Sequence, residues 1–161
     1  MDSVIIRPLE KKDNAAIAKV IRNVLIEHNV PKVGTAYADT SLDCMFETYS
    51  TKSSAYFVIE KDGEIIGGAG IAPLENGPKD TCELQKMYFL QQARGLGLGS
   101  KMMELCISTA VKMDYKKCYL ETMPYMEDAQ KLYKKSGCTY LNAPMGNTGH
   151  SSCPVWMIKQ L

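Results

Sequence analysis

The sequence predicts an α/β (α+β) fold whose elements follow the order βααβββαβαββ. Apolar residues between positions 17 and 25 recur at helical spacing, which indicates an amphipathic helix early in the chain. The pair Asp62-Gly63 separates two apolar runs, and such a pair is a strong short-range signal for a β-hairpin. A glycine cluster at residues 95–99 joins an alternating strand to a second amphipathic helix. These features place strands and helices in one mixed domain.

The first half of the chain provides a strand, two helices and the hairpin. Residues 4–9 are rich in β-branched residues and include a proline, which suits a strand end or a sheet edge. Asp13 is the predicted N-cap of the first helix. Side chains at helical spacing predict a shorter second helix over about residues 40–50. The hairpin arms are residues 55–60 and 65–71, and glycines in the second arm indicate a bulge or a close neighbour.

The second half of the chain alternates strands with helices. An alternating strand precedes the glycine cluster, and a helix with an apolar face follows it. Gly137 then stops a later helix, as glycine commonly does at a helix C-terminus. The predicted elements are a strand at 82–90, a helix from Leu98 to Met113, a strand at 117–121, a helix at 126–136 and a final strand at 153–158.

Length and composition predict one soluble domain over residues 1–161, with 45% hydrophobic residues and a net charge of +1. A net charge this close to zero creates no electrostatic field that would attract nucleic acid or an anionic membrane. Neither is therefore an expected partner. The acid at Asp2 is atypical of a signal peptide, and no apolar run approaches the ~18 residues of a membrane span, so the expected location is cytoplasmic. Six cysteines lack Cys-x-x-Cys spacing, which favours buried free thiols and no metal site.

The glycine cluster is typical of a loop that binds phosphate at the N-terminus of a helix. Three kinds of glycine loop compete for this assignment. A P-loop is excluded, because Gly99-Ser100-Lys101 departs from its Gly-Lys-Ser/Thr ending. A dinucleotide-binding loop needs Gly-x-Gly-x-x-Gly directly after its strand, which this chain lacks. One feature favours the dinucleotide loop, since Glu121 stands near the end of the next strand, where a ribose-binding acid would lie.

The third kind fits the spacing, since Arg94-Gly-Leu-Gly97-Leu-Gly99 is similar to the Arg/Gln-x-x-Gly-x-Gly/Ala pyrophosphate loop of the GCN5-related N-acetyltransferase (GNAT) superfamily. The similarity spans nearly the whole chain. It includes the opening strand Ile5-Ile6-Arg7-Pro8, the strand from Glu83 to Leu90 and the segment from Ala129 to Gly137. Each piece alone is weak, whereas the ordered set is specific.

The resemblance implies a mixed, mostly antiparallel sheet with helices on both faces. It also implies that an acetyl group passes from acetyl-CoA to a primary amine by direct attack in a ternary complex, with no metal. In this family the strand before the loop splays away from the next parallel strand, and the pantetheine arm lies in the gap. The implied coenzyme-binding residues are Met87, Tyr88, Phe89, Arg94, Gly95, Leu96, Gly97, Leu98, Gly99 and Ser100.

The resemblance suggests Glu83 as the base that takes a proton from the amine, which is mostly protonated at neutral pH because its pKa is roughly 10.4. Strand alternation predicts that Glu83 shares one face with Gln85, Met87 and Phe89. A solvated glutamate at a strand edge is the alternative interpretation. Glu121 is the second choice for the base.

Tyr133 matches the tyrosine that many GNAT members place near the coenzyme sulfur as general acid. The alternative interpretation is that Tyr133 is a tyrosine packed in the core. Two positions depart from the common pattern, since Met126 stands where asparagine often contacts the coenzyme and Cys138 where phenylalanine is usual. Two loops, residues 29–39 and 142–152, are expected to border the acceptor. Tyr37 and His150 lie in these loops, and they are the candidate substrate-binding residues.

Two other functions stay open at this point: a non-catalytic acyl-CoA-binding protein of the same fold and a nucleotide-dependent oxidoreductase. The sequence does not identify the amine. Homodimers are common for this fold, but no sequence feature establishes one.

Overall fold

The structure is a computed structural model that describes residues 3–161, so Met1 and Asp2, including the acid weighed against a signal peptide, lie outside the described residues. Seven strands form one sheet in the order β1-β2-β3-β4-β5-β7-β6. The strands are β1 (Val4–Pro8), β2 (Ala55–Lys61), β3 (Glu64–Pro73), β4 (Thr81–Phe89), β5 (Lys117–Thr122), β6 (Thr139–Leu141) and β7 (Val155–Gln160). The helices are α1 (Asn14–Glu27), α2 (Met45–Thr48), α3 (Leu98–Lys112) and α4 (Glu127–Lys135). The predicted order of elements is confirmed.

Apolar side chains cover both faces of the sheet, as predicted for an α/β fold with helices on both sides. Along β2, Tyr56 and Val58 belong to the core cluster under α1 and α2. Their neighbours Phe57 and Ile59 belong to the cluster under α3 and α4. The alternation follows from the two-residue period of a strand, which sends successive side chains to opposite faces.

Two local predictions at the start of the chain hold only in part. Asp13 occupies the N-cap position of α1, as predicted, but its side chain does not cap the helix. Its carboxylate accepts hydrogen bonds from Arg7 at 2.8 and 3.0 Å and from the backbone N–H of Glu10 at 2.8 Å, and it ties β1 to the helix start. The predicted second helix is divided, because Cys44 lies at φ −137° and ψ 50° between a 3-10 turn (Thr40–Asp43) and α2.

The structure contradicts the prediction that Glu83, Gln85, Met87 and Phe89 share one face of β4. The cause is a β-bulge within the strand. Two residues, Lys86 and Met87, occupy the space opposite the single residue between Gly68 and Gly70 of β3. Lys86 takes a positive φ of 50°, and the hydroxyl of Tyr56 donates to its carbonyl at 2.6 Å. The extra residue reverses the alternation beyond it.

Side chains of β4 therefore divide between the two faces at the bulge. Glu83 and Gln85 lie on the α1 and α2 side, where Tyr49 donates to Gln85. Met87 and Phe89 instead pack against the core on the α3 side. The glycines predicted to mark a bulge or a close neighbour do so, since an added Cβ at Gly70 would collide with residues of β2.

The parallel strands β4 and β5 separate soon after they meet. Their register includes only Thr81 with Lys117, Cys82 with Cys118 and Glu83 with Tyr119. Beyond Glu83 the bulged end of β4 diverges from β5, which leaves a gap in the sheet. This splay was expected from the family resemblance, and it places the functional groups described below.

All six cysteines are free. Cys82, Cys106, Cys118 and Cys138 are buried, whereas Cys44 is exposed and Cys153 is half-buried. The prediction of buried free thiols is thus confirmed for four of the six.

Candidate active site

A groove of about 420 Å³ begins at the N-terminus of α3 and runs past the end of β4 to α4. Eight of the ten residues predicted to hold a coenzyme line it: Met87, Tyr88, Phe89, Arg94, Gly95, Gly97, Leu98 and Gly99. The other two do not line the groove, since the side chain of Leu96 is largely exposed and Ser100 lies half-buried in the first turn of α3.

The floor of the groove at α3 is bare backbone. Gly95 and Gly97 have positive φ angles of 75° and 74°, which glycine adopts without strain. An added Cβ at either glycine would meet no atom within 4 Å. No side chain caps α3, so the N–H groups of its first turn remain available at the positive end of a 15-residue helix. This arrangement can bind the phosphates of a ligand.

The end of β4 offers a further backbone donor. Leu90 N donates to Ile66 O at 2.8 Å, which makes Leu90 and Ile66 a hydrogen-bonded pair of the antiparallel ladder. The preceding pair, Phe89 and Gly67, is then a non-hydrogen-bonded pair, so the N–H of Phe89 points away from β3. It points toward the gap between β4 and β5, where a ligand can accept its hydrogen bond.

Arg94 lines the groove, but its guanidinium already has protein partners. It donates to both carboxylate oxygens of Glu27 in α1, at 2.7 and 3.0 Å, and to the carbonyl of Phe89 at 2.8 and 3.1 Å. The hydrogen bond and charge of Arg94 lower the pKa of Glu27, although burial opposes them. Arg94 therefore fastens the glycine loop to α1 and to the end of β4. Its predicted phosphate contact remains a prediction.

We expect Arg94→Ala to weaken coenzyme A binding by about 1 to 3 kcal/mol, because it removes a cation and an anchor of the glycine loop. Glu27→Gln separates these two contributions, since it removes the partner but keeps the cation. If the charge of Arg94 acts on phosphate, Glu27→Gln keeps or raises the affinity, and the loss in Arg94→Ala shrinks as salt is added. Calorimetric titration of both variants at two salt concentrations measures this. Equal losses in the two variants, independent of salt, would contradict a phosphate contact.

Glu83 is buried rather than solvated, with only 5% of its surface exposed. Gln85 donates to its carboxylate at 2.6 Å. Burial raises the pKa of Glu83 to about 7, the nearby charge of Glu121 adds to the rise, and Gln85, His150 and Lys86 oppose it. A carboxylate with this pKa is half-ionised at neutral pH, which suits a general base.

A polar cluster surrounds Glu83 on the α1 and α2 side of the sheet. His150 Nε2 lies 2.8 Å from an oxygen of Asp39, and the same oxygen lies 3.5 Å from the ammonium of Lys86. These contacts join the two loops expected to border the acceptor, as does the bond from Ser152 N to Gly34 O at 2.9 Å. His150 therefore lies beside Glu83, and its role in binding the acceptor stays a prediction. Asp39 and Lys86 were not candidate residues in the sequence, because no local spacing links either of them to His150. Asp39 and His150 are 111 positions apart.

Glu121, Glu83 and His150 each offer one ligand atom, and the three atoms lie within 4.8 Å of one another. This spacing is short enough for a metal ion. Each residue also has a protein partner, and Glu121 in particular accepts hydrogen bonds from Tyr119 at 2.6 Å and from Thr148 at 2.5 Å. The expectation that no metal is needed remains a prediction.

Tyr133 of α4 lies where the groove meets a small cavity of about 50 Å³ between the splayed strands. It is buried, and burial raises the pKa of its phenol well above the usual value. Within residues 3–161 its hydroxyl has no hydrogen-bond partner, and no side-chain oxygen there is both fully buried and unpaired. The hydroxyl is therefore accessible from the cavities, which weakens the alternative of a packed tyrosine bonded within the protein.

The structure changes which side chains border the predicted acceptor region: Tyr37 does not line it, and Cys153 does. The ring of Tyr37 packs against the core under α1 and faces the cations of Lys32 at 5.3 Å and Arg22 at 5.9 Å. Tyr37 lines neither the groove nor the small cavity. Cys153 does line the small cavity, although no sequence pattern marked it as a site residue. Burial and then the carboxylates of Glu121, Glu83 and Asp39 raise the pKa of the Cys153 thiol to about 12.

Comparisons with known proteins identify the family of this chain. The model of the acetyltransferase (GNAT) family matches residues 22–138. The chain belongs to the GNAT family. A relative from Escherichia coli K12, described as the uncharacterized N-acetyltransferase YjgM, is 42% identical over 160 residues, which cover 99% of this chain and 96% of that protein. With this full-length relative and this fold, the GNAT chain is an N-acetyltransferase.

Solved acetyltransferase structures share the whole fold. An acetyltransferase of Staphylococcus aureus Mu50 superimposes with a TM-score of 0.87 over 99% of both chains, at 17% identity. YncA from Salmonella typhimurium, a putative acetyltransferase solved with acetyl-CoA, gives a TM-score of 0.75 at 21% identity and covers 98% of this chain and 94% of its own. Membership of the GNAT family favours catalysis over the non-catalytic and oxidoreductase hypotheses. None of the helices within residues 3–161 is both long and apolar enough to cross a bilayer.

Proposed function

We propose that this GNAT protein transfers the acetyl group of acetyl-CoA to a primary amine, which attacks directly within a ternary complex. One observation carries the proposal: the groove beside α3 and the small cavity between β4 and β5 meet at common lining residues. These residues are Met87, Tyr88, Met126, Ala129 and Tyr133. A coenzyme in the groove and an amine in the cavity would approach each other at this junction.

The groove has the features that a nucleotide thioester requires. Bare N–H groups at Gly97 and in the first turn of α3 can bind pyrophosphate, and the N–H of Phe89 can bind the amide chain. Acetyl-CoA, when bound, supplies an activated acetyl group. Met126 lines both cavities where many GNAT members have asparagine, so this position offers the coenzyme a thioether rather than an amide.

Glu83 holds the proton that the amine must lose. A primary amine with a pKa of roughly 10.4 is almost fully protonated at neutral pH, and only its neutral form is a nucleophile. Glu83 has a pKa of about 7, so a large fraction of its carboxylate is free to accept the proton at the pH where the protein would work.

Direct attack is favoured over an acetylated cysteine. Cys153 is the cysteine that lines the small cavity, and the burial and carboxylates that raise the pKa of its thiol to about 12 keep it protonated. A protonated thiol is a poor nucleophile. Glu83 and its partners therefore favour deprotonation of the amine and disfavour that of the thiol.

The test combines calorimetry with a thiol-release assay over a panel of primary amines. We expect acetyl-CoA to bind and NAD not to bind, and we expect release of free coenzyme A to depend on one class of amine. Acetyl-CoA binding without turnover for any amine would contradict amine acetylation. NAD binding in the groove would contradict the coenzyme assignment.

Tyr133→Phe should lower kcat by about 10- to 100-fold with little change in coenzyme affinity. The phenol stays protonated at neutral pH because burial raises its pKa, so its hydroxyl can donate a hydrogen bond to the departing sulfur in a dry site. The aromatic ring and its packing remain in the variant, so the melting temperature should change little. Steady-state kinetics and thermal melting measure both quantities.

Tyr115→Phe is the matched control for Tyr133. Tyr115 is also buried, but its hydroxyl donates to the carbonyl of Ser53 at 2.7 Å, away from the groove. Loss of that hydrogen bond should lower the melting temperature and leave kcat unchanged. If Tyr133→Phe behaves like this control, Tyr133 is a structural residue and the sulfur takes its proton from water.

A further inference from the structure

The proposed mechanism delivers a proton to Glu83 but does not use the polar cluster between Glu83 and the surface. In this cluster, His150 Nε2 donates to Asp39 Oδ2 at 2.8 Å. A ring nitrogen of His150 also lies within 4.8 Å of a carboxylate oxygen of Glu83. We propose that His150 carries the proton from Glu83 to solvent and that Asp39 is the positioning residue that orients and charges its ring. This inference rests on the proposed function of Glu83.

Burial falls steadily along the three residues. Glu83 is 5% exposed, the side chain of His150 is 17% exposed and that of Asp39 is 26% exposed. A separation of up to 4.8 Å between Glu83 and His150 is within the span of one bridging water, because two hydrogen bonds of about 2.8 Å reach that far. The cluster therefore forms a continuous path from the buried base to the protein surface.

The proton balance involves no electron transfer. An N–H bond of the ammonium breaks as an O–H bond forms on Glu83. That O–H bond then breaks as an N–H bond forms on the neutral ring of His150, directly or through water. The resulting imidazolium releases its proton to solvent, and Glu83 returns to the carboxylate for the next turnover. Asp39 stabilises the imidazolium but is not itself protonated.

The charged groups around His150 suit this role. Burial lowers the pKa of His150, but the hydrogen bond and charge of Asp39, together with the charge of Glu83, outweigh burial and raise it, while Lys86 opposes them. Glu121 and Cys153 also border the same space. The pKa of Glu83 is about 7 and that of His150 is raised from its usual value, so the ring of His150 is a stronger base toward the proton of Glu83 than a free imidazole would be.

The first test is an NMR titration of the histidine rings, which needs no substrate. The chain has only His28 and His150, so His150→Ala identifies the two sets of signals. Asp39→Asn should lower the pKa of His150 by about one unit or more, because it removes a carboxylate in hydrogen-bond contact. Asp43→Asn is the matched control, since Asp43 is an exposed carboxylate paired with Arg22. It should leave the titration of His150 unchanged.

The second test is kinetic and separates a relay from a structural role. His150→Ala should lower kcat by roughly 10-fold or more at pH 7, and added imidazole should restore part of the rate. Asp39→Asn should also lower kcat, but in the His150→Ala background it should have little further effect, because Asp39 acts through His150. Acetyl-CoA affinity should stay unchanged in all of these variants, and Asp43→Asn should retain the wild-type kcat.

The outcomes distinguish this inference from the function on which it rests. A wild-type protein that acetylates no amine contradicts the proposed function and the relay together. An active wild type whose His150 pKa is unaffected by Asp39→Asn contradicts the relay alone. Additive losses in the double variant, or a loss in His150→Ala that imidazole does not restore, also contradict the relay.

Discussion

Glu83→Gln is expected to lower kcat at pH 7 by about 100-fold or more and to leave acetyl-CoA affinity unchanged. Glutamine keeps the size of the side chain and can still accept the hydrogen bond of Gln85, but it cannot accept the proton of the amine. The groove that would bind the coenzyme lies beyond the bulge and does not include Glu83. Steady-state kinetics with calorimetry of the same variant measure the two effects.

The pH dependence identifies the missing base. In the wild type, kcat/KM for the amine should rise with pH through about 7, as the carboxylate of Glu83 forms. In Glu83→Gln this rise should be absent, and the rate should instead increase toward pH 10 as the amine loses its own proton. Wild-type rates for the variant at every pH would refute the assignment of Glu83 as base.

The same substitution should stabilise the protein at high pH. The pKa of Glu83 is raised from 4.5 in the unfolded chain to about 7 in the folded state, so the folded state binds more protons within this window. Stability is therefore lost as the pH rises from 4.5 to 7, by an upper limit of about 3 kcal/mol. Because glutamine does not ionise, Glu83→Gln should unfold at a higher temperature than the wild type at pH 8 and lose this advantage below pH 5.

Glu121→Gln is the matched control for the base. Glu121 borders the same space, but Tyr119 and Thr148 already donate to its two carboxylate oxygens. We expect a smaller loss of kcat than in Glu83→Gln. The rise of kcat/KM with pH should stay near pH 7 and should not move to high pH. A larger loss in Glu121→Gln would transfer the role of base to this second candidate.

The order of elements was predictable because each long element has a strong local signal. The apolar stripe of α1, the Asp62-Gly63 turn and the alternation of β4 are local patterns, and each element formed where its pattern lies. Local capping was less predictable. Asp13 has the residue type of an N-cap, yet Arg7 and the backbone of Glu10 compete successfully for its carboxylate.

The face of each residue in β4 was predictable only up to the bulge. Alternation assigns Glu83 correctly to the face of Gln85 but fails at Met87, because an extra residue at Lys86 reverses the pattern. Nothing local in the sequence marks the bulge in β4, since it depends on glycines in β3 and on Tyr56 in β2. The partners of His150 were unpredictable for the same reason, because Asp39 meets it only through the folded sheet.

Gly97→Val should reduce acetyl-CoA affinity by at least about 100-fold while the protein stays folded. At Gly97 the backbone has a φ of 74°, and an added Cβ would meet no protein atom within 4 Å. That open space is the groove itself, so the valine side chain would occupy the space where phosphates must approach the N–H groups of α3. The β-branched residue also disfavours the positive φ, which alters the loop further. Calorimetry measures the affinity, and thermal melting confirms that the variant is folded.

Gly63→Val controls for the backbone strain, which alone costs about 1 to 3 kcal/mol of stability. Gly63 lies in the turn between β2 and β3 with a φ of 86°, and an added Cβ there also meets nothing within 4 Å. The two substitutions thus impose a similar strain, but only Gly97 borders the groove. Both variants should show a similar fall in melting temperature, and only Gly97→Val should lose the coenzyme. If both retain wild-type affinity, the bare backbone at α3 is not the phosphate site; if both lose it, the loss comes from destabilisation of the fold.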